Sequence, residues 1–229
     1  MFRTVGQFGL SILANGNYLA QYLLLDQNLE IRKVVVGIFD PYFRKLNDLI
    51  QYDIYGNIEE IDNPVLPFPV VGYSCRAVYA ANQKNGTDIS VFDLDGKRTR
   101  IIRKPFAPVE IPVGFEKALR EGMPPGLLLA KTLKLPRSFP AFQYFFADDE
   151  GRLFVATYEK DLKTGQNIRD VFSPAGVFII RASLGYFDFI KMFLDGRPGD
   201  VVIRGDRLAC VHEKESGFKE VIVSSCRWF

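Results

Sequence analysis

The sequence has few of the residues on which common catalytic and metal sites depend. Its 229 residues include one tryptophan, three cysteines and a single histidine, His212. One histidine excludes a zinc site built from several histidines, and a Ser-His-Asp triad would require His212 itself. We interpret His212 as a structural strand residue. No Gly-x-Ser-x-Gly, P-loop, His-Glu-x-x-His or Gly-x-Gly-x-x-Gly pattern occurs, which argues against the commonest hydrolase, kinase and dehydrogenase designs. We predict no catalytic residues, no metal site and no cofactor.

The three cysteines, Cys75, Cys210 and Cys226, are odd in number and too few for a disulfide scaffold. We interpret them as small buried hydrophobic residues, the usual environment of free cysteine. A bridge between Cys210 and Cys226 stays open as an alternative. The hairpin predicted around Glu215 does not place these two residues directly opposite each other, so this alternative is the weaker one.

The charge is nearly balanced, and no long apolar run is present. Lys and Arg number 29 and Asp and Glu 27, a net charge of +2, so no overall basic field favours nucleic acid. Residues 4–25 carry no formal charge, but they include several Gly, Asn and Gln residues. That segment is too polar for a membrane core and too interrupted for a signal peptide. We therefore predict no nucleic-acid partner, no membrane span and no export signal in the chain as given.

Aromatic residues are abundant, with 20 Phe and 10 Tyr, and this composition favours strands. Two long segments repeat a common pattern. Residues 66–73 and 137–144 share Phe-Pro and a later Tyr, and the similarity continues through three further pairs of segments: 75–80 with 151–158, 89–96 with 168–176, and 99–103 with 177–181. Each copy predicts four short strands separated by turns.

Two partial copies flank these repeats, at 15–22 and 204–211, and each begins with a glycine-containing turn. The fold class predicted is all-β, a β-propeller of four-stranded antiparallel blades, with residues 1–229 forming either a single propeller domain or a partial propeller. Residues 40–61 are predicted as a short helix or an irregular strand pair, and 114–122 as the best helix candidate. The four blade-like units are placed at about 6–37, 64–104, 137–184 and 199–229.

Three stretches carry a family resemblance: the Phe139-Pro140 pair, the hairpin at 148–155 and the turn at 170–176. With them, the chain from about Pro64 onward resembles the C-terminal part of bacterial six-bladed β-propeller proteins of the NHL-like class. The resemblance implies the fold and a location in the bacterial periplasm or at the cell surface. Six blades ordinarily need a longer chain, so we expect missing N-terminal blades, a small ring or a homo-oligomer.

Gluconolactonase-like propeller enzymes define the alternative function. There the resemblance implies a divalent metal held by Glu, Asn and Asp on the innermost strands, and Glu110 and Asn63 lie near such strands. The acidic stretches 93–96 and 148–150 are interpreted as hairpin turns rather than calcium loops. After 93–96, cations follow where oxygen ligands should stand, and 148–150 lies in a predicted tight turn. The five cations between Lys97 and Lys104 are interpreted as a charged outer strand, with an anion-binding patch as the alternative.

The function predicted first is a non-enzymatic binding module for an unknown protein, peptide or carbohydrate ligand. Long connections on a rigid scaffold usually carry binding residues. In each four-stranded blade, the turn between the first and second strands lies on one side. The connections predicted to be long lie on the opposite side. We expect the ligand there, with contacts from Tyr73, Arg76, Arg137 and Tyr144. The alternative is that all four residues pack between blades.

Overall fold

Antiparallel strands dominate the structure, which confirms the all-β prediction. The computed structural model describes residues 3–25, 27, 31–53, 60–62, 70–122, 132–183, 201–214 and 216–225. One helix of eight residues, α1 (Phe115–Gly122), confirms the helix prediction, and among the described residues no helix is long and apolar enough to cross a membrane. The strands are β1 (Arg3–Ile12), β2 (Tyr18–Leu25), β3 (Ile31–Phe39), β4 (Lys45–Asp53), β5 (Glu60–Asp62), β6 (Val70–Tyr73), β7 (Val78–Ala81), β8 (Ile89–Phe92), β9 (Arg98–Ile102), β10 (Thr132–Lys134), β11 (Tyr144–Ala147), β12 (Leu153–Lys160), β13 (Asn167–Phe172), β14 (Phe178–Ser183), β15 (Val201–Arg204), β16 (Arg207–Glu213) and β17 (Lys219–Ser225).

The strands form four consecutive up-and-down antiparallel sheets. Sheet 1 contains β1 to β4, sheet 2 contains β6 to β9, sheet 3 contains β11 to β14, and sheet 4 contains β15 to β17. Within each sheet every strand pairs with the next strand along the chain. A short parallel pair, β5 with β10, is separate from the four sheets. These meanders are the four-stranded blades predicted from the repeats, and sheet 4 has three strands within the residues that the structure describes.

Apolar side chains stack the sheets face to face in chain order. Leu19 and Ile38 of sheet 1 share a core with Val78 and Phe92 of sheet 2. A larger core, including Val91 and Phe145, joins sheets 2 and 3, and a smaller one, including Phe154 and Leu208, joins sheets 3 and 4. A Cβ atom on Gly72 of β6 would lie 3.1 Å from the ring of Phe145 in β11, so the first strands of sheets 2 and 3 approach closely. Sheets stacked in this way are successive propeller blades.

A five-residue turn recurs six times in the described chain. In each turn the N–H of the first residue donates to the carbonyl of the fifth, and the fourth residue has a positive φ. Glycine supplies this conformation at little cost because it has no Cβ. This confirms the hairpin predicted at 93–96 and the one at 148–150. The fourth residues are Gly16, Phe43, Gly96, Gly151, Gly176 and Gly217.

Two expectations are corrected by the structure. In the described part of 40–61 no helix forms and no two strands pair with each other: β4 (Lys45–Asp53) is the fourth strand of sheet 1, and seven of its residues have partners in β3, with register shifts between Val36 and Gly37 and between Ile38 and Phe39. The first sheet therefore extends well beyond residue 37. Cys75 is exposed rather than buried, since it lies in the β6–β7 turn, where its thiol is 3.1 Å from the carbonyl oxygen of Asp149. Cys226 lies outside the described residues.

Candidate binding surface

The turn between β3 and β4 presents two aromatic side chains to solvent. Tyr42 is 80% exposed and Phe43 is 59% exposed. Phe43 has φ 60°, the left-handed conformation that a bulky side chain rarely adopts and that costs about 1–2 kcal/mol for an L-residue. The five turns of the same hydrogen-bonding pattern use glycine there. We call residues Asp40 to Arg44 the aromatic turn.

Side chains of the aromatic turn fix the two rings in place. The ring of Phe43 stacks on that of Tyr18, with centroids 4.5 Å apart and planes 12° from parallel. The guanidinium of Arg44 lies 5.4 Å from the centroid of the Tyr42 ring. Arg44 is itself held by Asp40, because its Nε donates to Asp40 Oδ2 at 2.6 Å. One ring is therefore supported by an aromatic neighbour and the other by a cation.

Asp40 organises the backbone of the aromatic turn. Its Oδ1 accepts hydrogen bonds from the backbone N–H groups of Tyr42 and Arg44, both at 2.9 Å. Burial by itself would raise the pKa of the Asp40 carboxyl, but the hydrogen bonds from the Arg44 backbone and side chain and from the Tyr42 backbone lower it overall. The lowered pKa favours the charged carboxylate, which accepts both of these backbone hydrogen bonds.

A groove of about 550 Å³ opens beside the aromatic turn, between β4 of sheet 1 and the β8–β9 hairpin of sheet 2. The two sheets meet where Asn47 Nδ2 donates to the carbonyl oxygen of Gly96 at 2.7 Å. A Cβ on Gly96 would lie 3.0 Å from the Cβ of Asn47, so glycine permits this close approach. We call this space the inter-sheet groove. Its lining residues are Leu46, Asn47, Leu49, Ile50, Ser90, Phe92, Asp95, Gly96, Lys97 and Arg98.

The rim of the inter-sheet groove carries two cations and one carboxylate. Lys97 and Arg98 are exposed there, and within the described part of the chain neither forms an ion pair. The one carboxylate in the lining, Asp95, accepts hydrogen bonds from the Nδ2 atoms of Asn15 and Asn17, each at 3.0 Å. Two amides of the β1–β2 turn therefore share one oxygen of Asp95, whose negative charge remains beside the two exposed cations.

The other three cations of the predicted charged strand have partners. Arg100 Nη1 donates to the carbonyl oxygen of Pro174 at 2.6 Å. Arg103 pairs with Asp88 at 2.8 Å, and Lys104 pairs with Asp170 at 2.7 Å. β9 is an outer strand that pairs with β8. Arg100 and Lys104 therefore help to attach sheet 2 to sheet 3. The alternation of residues along a strand could not reveal this role.

The structure does not bring the four predicted contact residues together. Tyr73 ends β6 and Arg76 lies in the β6–β7 turn, which touches Asp149 in the β11–β12 turn. Tyr144 begins β11, at the end of that strand away from the β11–β12 turn, and Arg137 precedes sheet 3 in the chain. Arg137 is exposed and forms an ion pair with Glu110 at 3.0 Å. Tyr144 is buried, and its hydroxyl accepts a hydrogen bond from Arg169 Nη2 at 3.2 Å.

The acidic residues considered as metal ligands have structural partners. Arg152 forms ion pairs with Asp148 at 2.6 Å and with Glu150 at 2.8 Å. Asp149 accepts the backbone N–H of Gly205, which ties sheet 3 to sheet 4. Across the described ranges, no three His, Cys, Asp or Glu side chains lie close enough to hold a metal ion. Asn63 lies outside the described residues, and His212 belongs to β16.

Sequence reasoning missed the aromatic turn although a signal was present. The sequence Asp40-Pro41-Tyr42-Phe43-Arg44 has the Asp at the first position and the cation at the fifth, as in 93–97 and 148–152. Only the fourth residue differs, because Phe replaces glycine. The Asp at the first position and the Arg at the fifth would have identified this turn as another copy of the repeated hairpin. Phe43 at the fourth position would then have been the departure that needed an explanation.

No protein-family model matches this sequence, and no curated protein matches it. The chain is similar in structure to a calcium-binding protein, regucalcin, from Agrobacterium tumefaciens strain C58, with a TM-score of 0.40 and 13% identity over 96% of this chain and 62% of that chain. For a eukaryotic initiation factor the TM-score is 0.39 and the identity 12%, over 78% of this chain and 32% of that chain. For KlHsv2 with loop 6CD replaced by a Gly-Ser linker the TM-score is 0.19 and the identity 9%.

The chain spans 32% of the initiation factor and 62% of regucalcin. All three TM-scores lie below 0.5. None of these similarities supports a statement about what the protein does.

Proposed function

We propose that the protein is a non-enzymatic binding module whose ligand meets the aromatic turn. The observation that carries this proposal is the conformation of Phe43, which adopts φ 60° while its side chain is 59% exposed. Glycine would fit the same turn without strain, as it does at Gly96 and Gly151. Backbone strain is retained where it serves a function, because selection for stability alone favours the unstrained residue.

The chemistry of the aromatic turn is suited to recognition. Tyr, Trp and Arg are the residues most enriched where binding energy concentrates, and the turn contains Tyr42 and Arg44 beside Phe43. Rings that are already ordered by Tyr18 and Arg44 lose little conformational entropy when a ligand covers them. The surface is therefore pre-organised for a flat or extended partner.

The alternative function, a metal-dependent gluconolactonase-like hydrolase, remains a prediction from the sequence resemblance. Of its two named residues, Glu110 is engaged by Arg137 at 3.0 Å. One tightly held divalent ion per purified chain, together with lactone hydrolysis that disappears on chelation, would support the hydrolase and contradict the binding module.

The proposal is tested by screening the purified chain in parallel on a glycan array and a displayed random-peptide library. Ligands found with the wild type are then titrated against Tyr42→Ser and Phe43→Gly. We expect each substitution to weaken binding at least tenfold, about 1.4 kcal/mol. The absence of any ligand, or ligands that bind both variants as tightly as the wild type, would overturn the proposal.

Two controls separate binding from folding. In Phe43→Gly, relief of backbone strain offsets the lost stacking on Tyr18, so the free energy of unfolding should stay within about 1 kcal/mol of the wild type. Tyr73→Ser removes an exposed tyrosine at a predicted contact in sheet 2. If Tyr73→Ser abolished binding and Tyr42→Ser did not, the contact residues chosen from the sequence would be the correct ones.

A further inference from the structure

We propose that Asn15 is a deamidation site and that its conversion to a carboxylate releases the β1–β2 turn of sheet 1 from sheet 2. This modification site is independent of the ligand proposed above. Three observations carry the inference: the exposed Asn15-Gly16 pair, the contacts of the Asn15 amide with the β8–β9 turn, and the Asp95 carboxylate that receives them.

Asn15 and Gly16 have the chemistry that this reaction needs. The pair lies in the β1–β2 turn, and both residues are exposed. The backbone nitrogen of Gly16 attacks Cγ of Asn15, so the N–Cγ bond forms, the Cγ–Nδ2 bond breaks, and Nδ2 departs as ammonia with the proton from the Gly16 nitrogen. Water then opens the resulting succinimide ring to aspartate or isoaspartate. Glycine favours the attack because, without a Cβ, it adopts the backbone conformations that ring closure requires.

The folded contact engages both reacting groups. Asn15 Nδ2 donates to the carbonyl oxygen of Leu94 at 3.2 Å and to Asp95 Oδ1 at 3.0 Å. The N–H of Gly16 donates to the carbonyl oxygen of Leu13 at 2.9 Å, so the attacking nitrogen is held as well. Attack on Cγ therefore requires the turn to open, and the rate of deamidation follows the population of the open turn.

Conversion prevents the contact from forming again. The new carboxylate has no N–H to donate, so the hydrogen bonds to Leu94 and Asp95 are lost. Its charge would lie where Nδ2 now lies, 3.0 Å from Asp95 Oδ1, and two carboxylates that close repel each other. Asn17 Nδ2 donates to the same two oxygens, at 3.1 and 3.0 Å, and remains as the other donor of the turn. One reaction thus weakens the attachment of sheet 1 to sheet 2 irreversibly.

The reaction is measured by incubating the full chain in mildly alkaline buffer, with and without urea, and mapping its peptides by mass spectrometry. In the folded protein, we expect the peptide that contains Asn15 to gain about 1 Da, as aspartyl and isoaspartyl forms, and to convert faster in urea. Asn15→Gln is the matched control, because its extra methylene group disfavours ring closure, and its peptide should keep its mass. A folded wild type in which Asn15 stays unmodified while the unfolded chain converts would overturn the proposal.

A second substitution tests whether the contact controls the rate. Asp95→Ala removes the acceptor that Asn15 and Asn17 share. We expect deamidation at Asn15 to become about fivefold faster, the effect of losing about one net hydrogen bond. Asp161→Ala, which removes a carboxylate that accepts hydrogen bonds within the β12–β13 loop, is the control and should leave the rate unchanged. Equal rates in Asp95→Ala and the wild type would show that the contact does not protect Asn15.

The structural consequence is tested with Asn15→Asp, which carries the charge of the product without incubation. We expect a midpoint temperature of thermal unfolding lower by about 2–4 °C than that of the wild type. Amide hydrogen exchange in 93–97 should be faster, because the β8–β9 turn loses contacts with sheet 1. Asn15→Gln keeps an amide and should change both quantities less. If Asn15→Asp unfolded and exchanged like the wild type, the proposed release of the turn would be wrong, even with a mass gain at Asn15.

Discussion

The ammonium group of Lys104 lies 2.7 Å from the carboxylate of Asp170, which is fully buried in sheet 3. Lys104 follows the last strand of sheet 2, so this ion pair joins two sheets. The same ammonium is 5.2 Å from the ring centroids of both Phe106 and Phe178. Arg181 also reaches Asp170, at 3.0 Å. A single buried carboxylate therefore takes part in fastening sheet 2 to sheet 3.

We predict that Lys104→Met lowers the free energy of unfolding by about 2–3 kcal/mol. The substitution leaves the buried Asp170 carboxylate with Arg181 as its remaining cation, and breaking a buried pair is costly. Arg103→Met is the control, because its pair with Asp88 is exposed and should contribute less than about 1 kcal/mol. Urea unfolding of both variants measures the difference. Equal losses in the two variants would show that burial of Asp170 has no special role.

We predict that Gly96→Ala destabilises the protein more than Gly205→Ala. Both glycines have positive φ, at 91° and 56°, so each alanine carries backbone strain of about 1 kcal/mol. At Gly96 the new methyl would also lie 3.0 Å from Asn47, whereas at Gly205 nothing lies within 4 Å. The midpoint temperature of thermal unfolding should therefore be higher for Gly205→Ala than for Gly96→Ala. The reverse order would contradict the close approach of sheets 1 and 2.

We predict that the protein loses stability above about pH 10. Burial raises the pKa values of Tyr22, Tyr79, Tyr144 and Tyr158, and for Tyr22 the hydrogen bond to Asp48 at 2.6 Å raises it further. Unfolded tyrosines ionise near pH 10, while the folded ones keep their protons. The stability is thus complete below pH 10 and falls as pH rises, by up to about 1.4 kcal/mol per pH unit for each such tyrosine.

The alkaline prediction is checked by urea titrations between pH 8 and 11 on the wild type and Tyr22→Phe. At neutral pH the free energy of unfolding of Tyr22→Phe should be about 1 kcal/mol lower than that of the wild type, because the variant lacks the hydrogen bond to Asp48. Above pH 10 its stability should fall less steeply than that of the wild type. If the free energy of unfolding fell equally steeply above pH 10 in the two proteins, ionisation of Tyr22 would not contribute to the alkaline loss of stability.

We predict that outer strand β14 makes the protein self-associate. Phe178, Ile179 and Ile180 are exposed on this edge strand, whereas the corresponding strand β9 carries Arg98 and Arg100. The one charged residue of β14, Arg181, is engaged by Asp170 and Glu159, so its apolar residues leave this edge able to pair with another copy. Light scattering should show a concentration-dependent dimer that Ile179→Lys removes and Ile101→Lys on β9 does not. A wild type that stays monomeric at every concentration would contradict this prediction.

Local patterns in the sequence determined the strands and most of the turns. Glycine at the fourth position of the turns at 93–97 and 148–152 fixed two hairpins, because only glycine adopts positive φ there without strain. The β3–β4 turn was missed for the same reason, since Phe43 takes that position against its intrinsic preference. The strand alignment also failed locally. Tyr73 was matched with Tyr144, but Tyr73 ends its strand and Tyr144 begins its own.

Tertiary structure alone decided which residues meet between sheets. Lys104 and Asp170 are 66 positions apart, and Asn17 and Asp95 are 78 positions apart. The inter-sheet groove likewise combines β4 with a hairpin some forty residues later. Strand alternation and turn chemistry are local, acting over two to five residues, so they specify a sheet but not the face that the next sheet covers. That choice follows from the packing of Phe, Val and Leu side chains between whole sheets, and it determined which charges were buried and which stayed exposed.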